Sequence, residues 1–185
     1  VLHALTISLN MGLFLGNGMK VLPVVPLFHV NAWGLPYAAP LTGTSLIFPG
    51  PNLDGASLFN LMDHENVNSA WGVPTVWLGL LEEIRNQGKA PSQFQNVVIG
   101  GSAAPKSMIE EFEGLGITVC HAWGMTEMSP VGTQGFLPQP MTKLLSSDEQ
   151  ILKKCNQGRR VFGVDLKIVD EKGSSLPHDG EASGE

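Results

Sequence analysis

Asn96-Val97-Val98-Ile99-Gly100-Gly101-Ser102-Ala103-Ala104-Pro105, continuing through residues 106–121 to Ala122-Trp123-Gly124-Met125-Thr126-Glu127, is the stretch whose reading decides the fold. Asn96 to Ile99 is a short apolar, β-branched run of the kind buried on both faces of a sheet, and a glycine turn closes it. Residues 106–112 carry apolar positions at helical spacing, and residues 116–121 return to strand character. A strand, a turn, a helix and a second strand in so short a span form a βαβ unit, the building block of a parallel sheet.

The same alternation extends upstream. Residues 2–14 suit an amphipathic helix ended by glycines at 12, 16 and 18, and residues 21–25 suit a strand that delivers Pro26-Leu27-Phe28-His29 at its carboxyl end. Residues 33–41 read as a helix interrupted by prolines and residues 45–48 as a strand. Residues 54–65 read as a helix that Asp54 or Ser57 can cap. A strand over residues 68–71 leads into Gly72-Val73-Pro74-Thr75, and Val76, Leu80, Leu81 and Ile84 mark a helix over residues 75–86. Downstream, residues 138–160 read as helix and connector, while residues 164–170 alternate with period two before a Glu171-Lys172-Gly173 turn and suit an antiparallel strand. The expected architecture is α/β: a mostly parallel sheet with helices on both faces and the start of a β-rich subdomain at the C-terminal end. Ligand sites in such folds lie beyond the carboxyl ends of the strands.

Composition narrows the function classes. The 185 residues are 43% apolar and 15% charged, enough for one filled core. Seventeen acidic against eleven basic residues leave a net charge of -6 with no broad basic cluster, so nucleic-acid binding is disfavoured. The two cysteines, Cys120 and Cys155, have no metal-ligand spacing and form no secretory framework, which fits a reducing, cytoplasmic setting. No apolar run reaches the roughly 18 residues of a spanning helix. No signal peptide is visible at Val1-Leu2-His3-Ala4-Leu5. A peripheral membrane contact and the oligomeric state stay open. A chain that starts inside a helical pattern at Val1 and stops at Gly184-Glu185 reads as an excised piece.

Several residues carry candidate chemistry. Trp123 offers a flat face on which a purine can stack, Gly124 lets the backbone come close, Thr126 can hydrogen-bond a phosphate oxygen, and Glu127 is a hard oxygen ligand suited to Mg²⁺. Gly100, Gly101 and Ser102 form a turn whose backbone can approach an adenine or a carbonyl, although the same sequence suits a simple tight connection. That turn matches neither the dinucleotide fingerprint nor the Walker pattern. His29 either packs and hydrogen-bonds locally or lines a substrate pocket together with Trp33. Trp33, Trp71 and Trp77 read more as core than as cofactor contacts, and His3, His64, His121 and His178 receive no role.

Pro26-Leu27-Phe28-His29, Gly72-Val73-Pro74-Thr75, Gly100-Gly101-Ser102-Ala103-Ala104-Pro105 and Trp123-Gly124-Met125-Thr126-Glu127, in this order, resemble the adenylate-forming superfamily, and within it the fatty acyl-CoA synthetases of medium- and long-chain type. Gly158-Arg159 followed by residues 161–170 resembles the passage into the family's later β-subdomain. The resemblance implies residues 1–155 as the central part of an adenylation domain and residues 156–185 as the start of the β-rich subdomain, incomplete at both ends. It implies ATP, Mg²⁺ and coenzyme A, with a fatty acid as the substrate that is activated to an acyl-adenylate. Trp123 would stack on adenine, with Gly124 and Met125 beside it. Thr126 would contact the phosphate, and Glu127 would bind Mg²⁺. Gly100, Gly101 and Ser102 would border adenine and the acyl carboxylate, His29 would lie near that carboxylate, and Trp33, Val73, Pro74 and Thr75 would wall the acyl pocket.

The pattern also departs from the family. Its phosphate loop belongs before residue 1, and its ribose-binding aspartate and lysine-bearing C-terminal domain belong after residue 185, so the isolated chain is expected to be inactive. Arg160 stands where relatives commonly have proline. The alternatives that remain are another carboxylate activator, such as an aryl-CoA ligase or a luciferase-like enzyme, and a noncatalytic nucleotide- or lipid-binding module.

Overall fold

The computed structural model describes residues 1–9 and 14–185. In chain order the elements are α1 (Leu2–Leu9), β1 (Lys20–Pro23), the single turn α2 (Val30–Trp33), α3 (Leu35–Thr42), β2 (Ser45–Leu46), α4 (Gly55–Glu65), β3 (Ser69–Gly72), α5 (Pro74–Gln87), β4 (Asn96–Ile99), α6 (Lys106–Gly114), β5 (Thr118–Gly124), β6 (Val131–Gln134), α7 (Gln139–Thr142), α8 (Ser147–Cys155) and β7 (Arg159–Arg160). They build one seven-stranded sheet in the order β2-β1-β3-β4-β5-β6-β7. The first five strands are mutually parallel, with registers such as Val21↔Ser69, Ser69↔Asn96 and Ile99↔His121, so their carboxyl ends share one edge of the sheet. β6 and β7 are antiparallel additions.

Each central strand is apolar on both sides because helices cover both faces. Leu22, Ala70, Val97, Ile99 and Val119 join Leu58, Trp77, Leu80 and Phe112 from α4, α5 and α6 in one core. The alternate strand residues Val21, Trp71, Val98 and Cys120 face Ile7, Trp33, Leu35 and Ala38 in a second. The period-two alternation sends neighbours to opposite layers. Trp77, Leu80, Leu81 and Ile84 bury one stripe of α5, and each of its leucine and isoleucine side chains contributes about 2 kcal/mol. α4 begins where Asp54 accepts the Ser57 N–H at 2.9 Å, which selects Asp54 over Ser57 as its cap. α8 begins with a reciprocal capping box between Ser146 and Glu149.

Four details differ from the sequence reading. The first helix is described over Leu2–Leu9; residues 10–13 of the expected helix lie outside the described residues, and Phe14 is outside it with φ 55°. The helix expected from Trp33 starts instead at Leu35, because Val30–Trp33 form a left-handed turn. β5 runs on through Trp123 and Gly124, so half of the motif read as a turn is strand, paired with the unanticipated β6. The antiparallel strand expected over residues 164–170 reduces to a single bridge, Val169↔Ser175. Pairing is confined to the end of the segment, where the Ile168 carbonyl accepts the Leu176 N–H at 2.9 Å; no named strand pairs with 164–167 among the described residues, although the turn after Asp170 forms, closed by Gly173 N–H to Asp170 C=O at 2.9 Å. No helix among the described residues is long and apolar enough to cross a membrane.

Candidate functional site

At the shared carboxyl edge, four segments converge. The loop after β1 brings His29 and Val30, the left-handed turn brings Trp33, the turn after β4 brings Gly100 and Gly101, and the end of β5 brings Ala122, Trp123, Gly124, Met125 and Thr126. Pro130 and Val131 complete the wall of a cavity of about 180 Å³. That volume lies below the roughly 300 Å³ at the small end of ligand pockets, so these residues form part of a site rather than all of it.

The backbone is shaped for close approach. Val30, Asn31, Ala32 and Trp33 all have φ between 47° and 55°, a region that costs about 1–3 kcal/mol for each side-chain-bearing residue and that clusters at functional sites. The turn drives the Trp33 indole, 8% exposed, onto Gly100: a Cβ there would sit 3.1 Å from Trp33 Cη2 and 3.2 Å from the Ala122 carbonyl. Gly101 has φ 81°, and a Cβ on it would meet Val73 Cγ1 at 3.0 Å. Bare backbone therefore floors the cavity between two apolar side chains.

Trp123 forms the opposite wall. Its Cε3 and Cζ3 atoms lie over Gly132 of β6, where a Cβ would come within 2.9 Å, and the indole remains 37% exposed toward the cavity. After it, Met125 N–H donates to the Pro130 carbonyl at 3.0 Å and Ser129 N–H to the Thr126 carbonyl at 3.1 Å, so Thr126–Met128 form a single 3-10 turn inside a closed loop. The loop holds Thr126 at the cavity and leaves the Glu127 side chain in solvent.

The structure thus gathers His29, Trp33, Gly100, Gly101, Trp123, Gly124, Met125 and Thr126 around one cavity. Ser102, Glu127, Val73, Pro74 and Thr75 do not line it. Ser102 and Glu127 are exposed one residue beyond lining residues, Val73 backs the glycine turn, Pro74 is buried at the start of α5, and Thr75 is exposed on its first turn. Trp71 and Trp77 are fully buried, as core residues should be.

Two histidines without a sequence signal matter here. His121, 1% exposed, accepts the Ala104 N–H on Nε2 at 3.2 Å and lies 3.0 Å from the Cys155 carbonyl through Nδ1, so its neutral form carries the proton on Nδ1. Burial lowers its pKa. His3 accepts the Val131 N–H at 3.2 Å, and burial, then the N-terminal ammonium, lower its pKa. Neither could be found from local sequence, because their partners are remote in the chain. Cys120 is excluded as a nucleophile: full burial pushes its thiol pKa up to about 12. Among the described residues no three His, Cys, Asp or Glu side chains come together as a ready-made metal site.

Comparisons with known proteins fit this geometry. A family model described as "AMP-binding enzyme" matches residues 2–185. Over 185 residues the chain is 49% identical to a medium-chain-fatty-acid–CoA ligase of Ectopseudomonas oleovorans, covering all of this chain and 34% of that protein. It is 46% identical to a long-chain-fatty-acid–CoA ligase of Thermus thermophilus, again covering all of this chain and 34% of the relative. In three dimensions it superposes on a long-chain-fatty-acid–CoA ligase from Archaeoglobus fulgidus with a TM-score of 0.76 at 20% identity, covering 95% of this chain and 35% of the other, a likeness of fold. The chain therefore spans about a third of the length of the curated relatives it matches.

Proposed function

The chain belongs to the AMP-binding enzyme family, and from that membership we propose that it supplies the central part of an AMP-forming fatty-acid–CoA ligase, which activates a fatty acid with ATP and passes the acyl group to coenzyme A. The observation that carries the proposal is the single cavity with Gly100–Gly101 on one side, Trp123 and Thr126 on another, and His29 with Trp33 at a third. A flat ring, a phosphate and an apolar tail are the ligand parts that such walls suit.

In this reading Trp123 stacks on adenine while the backbone of Gly100 and Gly101, with Ser102 beside them, borders the base and the acyl carboxylate. Gly124 and Met125 bring main chain beside the nucleotide, and the Thr126 hydroxyl donates to an α-phosphate oxygen. His29 hydrogen-bonds the carboxylate. Trp33 meets the acyl chain, and Val73, Pro74 and Thr75 extend that wall from the start of α5. The fatty carboxylate attacks the α-phosphorus, pyrophosphate leaves, and the thiol of coenzyme A then displaces AMP from the mixed anhydride. A carboxylate is a poor acyl donor, and adenylation gives it a good leaving group.

Glu127 fits Mg²⁺. It is an exposed carboxylate one residue from the phosphate-contacting Thr126, and Mg²⁺ typically takes one or two carboxylates, with nucleotide phosphates and water completing the shell. Bound there, Mg²⁺ offsets phosphate charge. Residues 1–155 are then the central adenylation core and residues 156–185 the start of a further, β-rich subdomain.

The test is fatty-acid-dependent exchange of labelled pyrophosphate into ATP by the longer protein containing this chain. Exchange driven by fatty acids supports the proposal, exchange driven only by aryl acids moves it to an aryl-CoA ligase, and AMP binding without exchange leaves a noncatalytic nucleotide module.

A further inference from the structure

The peptide unit joining Pro130 to Val131 is held at both ends. Its carbonyl accepts the Met125 N–H at 3.0 Å, and its N–H donates to His3 Nε2 at 3.2 Å. The first bond closes the loop that carries Thr126 and Glu127; the second fixes the plane of the peptide that closes it. Hydrogen bonds at the two ends of one amide reinforce each other. Val131 is 5% exposed, so without His3 its N–H would be a buried donor lacking that acceptor.

The same imidazole also packs on Gly34, next to the left-handed turn. A Cβ on Gly34, the residue that follows the left-handed turn, would lie 2.8 Å from His3 Cε1 and Nδ1. One side chain from α1 therefore touches both the segment that presents His29 and Trp33 and the loop that presents Thr126 and Glu127. The recess beside the ring is lined by Val1, Tyr37, Val30, Asn31, Thr126 and Ser129. A second recess on its other side is lined by residues such as Met128, Val161 and Phe162. Among the described residues no carboxylate lines either one; besides His3 the titratable side chain in them is the Tyr37 phenol, with His29 and Glu127 next to lining residues. Nothing there rewards a protonated imidazole, and the hydrogen bond to Val131 requires a neutral Nε2.

We propose that His3 is a positioning residue, which spaces the Met125–Pro130 loop against the His29–Gly34 segment and so sets the geometry in which the loop meets a nucleotide. The proposal rests on the nucleotide reading of the cavity for its consequence, and on the hydrogen bond to Val131 for its structure. A His3→Gln substitution keeps an acceptor near the place of Nε2 and cannot be protonated in the working range; His3→Ala removes the acceptor.

The experiment uses the longer protein containing this chain, with AMP as the probe. Amide exchange at Val131 at pH 7.5 is expected to be at least tenfold faster in His3→Ala and near the wild-type rate in His3→Gln. AMP affinity, read by tryptophan fluorescence, is expected to drop about tenfold in His3→Ala. In the wild type it is expected to fall as pH is lowered from 7.5 to 5, and in His3→Gln to fall less, the remaining response coming from His121 and from the AMP phosphate, whose second pKa is about 6. Equal Val131 exchange in all three proteins overturns the proposal. So does an AMP affinity that tracks thermal stability alone, or an acid response in His3→Gln that matches the wild type. A wild-type longer protein that binds no AMP overturns the nucleotide reading, and the Val131 exchange rates then decide the loop contact by themselves.

Discussion

His121 Nε2 accepts the Ala104 N–H at 3.2 Å, and this one bond ties the strand that carries Trp123 to the glycine turn facing it across the cavity. The other ring nitrogen reaches the Cys155 carbonyl at 3.0 Å, adding the end of α8. Because Nε2 must be unprotonated to accept, both bonds exist together only in the neutral ring. Burial holds the pKa below its ordinary value of 6.5. The unfolded chain therefore takes up a proton near 6.5 while the folded chain resists until lower pH. The unfolded state binds more protons in that window, so stability is full above about 6.5 and falls as pH drops through the folded pKa. Urea midpoints at pH 7.5 and 5.5 should show that loss. In His121→Gln the midpoint should be lower at pH 7.5 and the pH response shallower, though not flat, since His3 is held low in the same direction. An unchanged pH response would remove His121 from the transition.

A second bond fastens α8. Lys154 Nζ meets Glu113 Oε1 at 2.5 Å, and the same oxygen accepts the Val119 N–H at 2.7 Å. The lysine side chain is 6% exposed and the glutamate 24%. Removing one partner of a fully buried pair costs roughly 3–5 kcal/mol, and the water that reaches Glu113 brings the expectation for Lys154→Met to about 2 kcal/mol. Chemical denaturation of the single and double variants measures it, with Lys154→Met/Glu113→Gln expected to recover part of the loss. A loss in the double variant equal to the sum of the singles would show that the pair is not coupled.

The parallel core was legible because its signals are local. Val97, Val98 and Ile99 declare a strand buried on both faces, and Trp77, Leu80, Leu81 and Ile84 declare one helix stripe. The cavity was legible in large part because its walls are strand-end residues, which the topology must bring to one edge. What escaped the sequence depends on remote partners. β6 exists because Val131–Gln134 find β5, while residues 164–170, with a better alternating pattern, are paired only at their end, through the Val169↔Ser175 bridge. Val30–Trp33 carry no glycine to announce a left-handed turn; the turn is held by its surroundings, with Trp33 buried against Gly100. His3 and His121 act on backbone groups 128 and 17 residues away, a relation that no window of sequence contains.

Trp123 has a packed edge and an open one. Gly132 leaves room for the indole to lie along β6, so the ring is oriented before any ligand arrives. Stacking of a base on such a ring contributes roughly 1–3 kcal/mol in nucleic-acid systems. AMP binding measured by calorimetry should therefore weaken by about tenfold or more in Trp123→Ala and by much less in Trp123→Tyr, which keeps a flat face. An equal loss in both variants would point to packing on β6 rather than stacking, and an unchanged affinity in Trp123→Ala would remove the ring from the nucleotide site.

Glu127 and Thr126 stand next to each other on the 3-10 turn, yet they should fail in different ways. Thr126 lines the cavity and Glu127 does not, so a metal role for Glu127 requires the ion to reach it from the phosphate side, in solvent. Glu127→Gln keeps the size of the side chain and removes its charge, and because the group is exposed the fold should be unaffected. In the longer protein, fatty-acid-dependent pyrophosphate release should fall by at least a hundredfold, about 2.7 kcal/mol of transition-state stabilisation, at the scale of a lost electrostatic group in an active site. The Mg²⁺ concentration for half-maximal rate should rise in parallel. Thr126→Val should instead weaken binding of the nucleotide phosphate with the Mg²⁺ requirement unchanged. If Glu127→Gln retains both ordinary activity and an ordinary Mg²⁺ dependence, the carboxylate is not the ligand, and the ion would have to be held by residues beyond this chain.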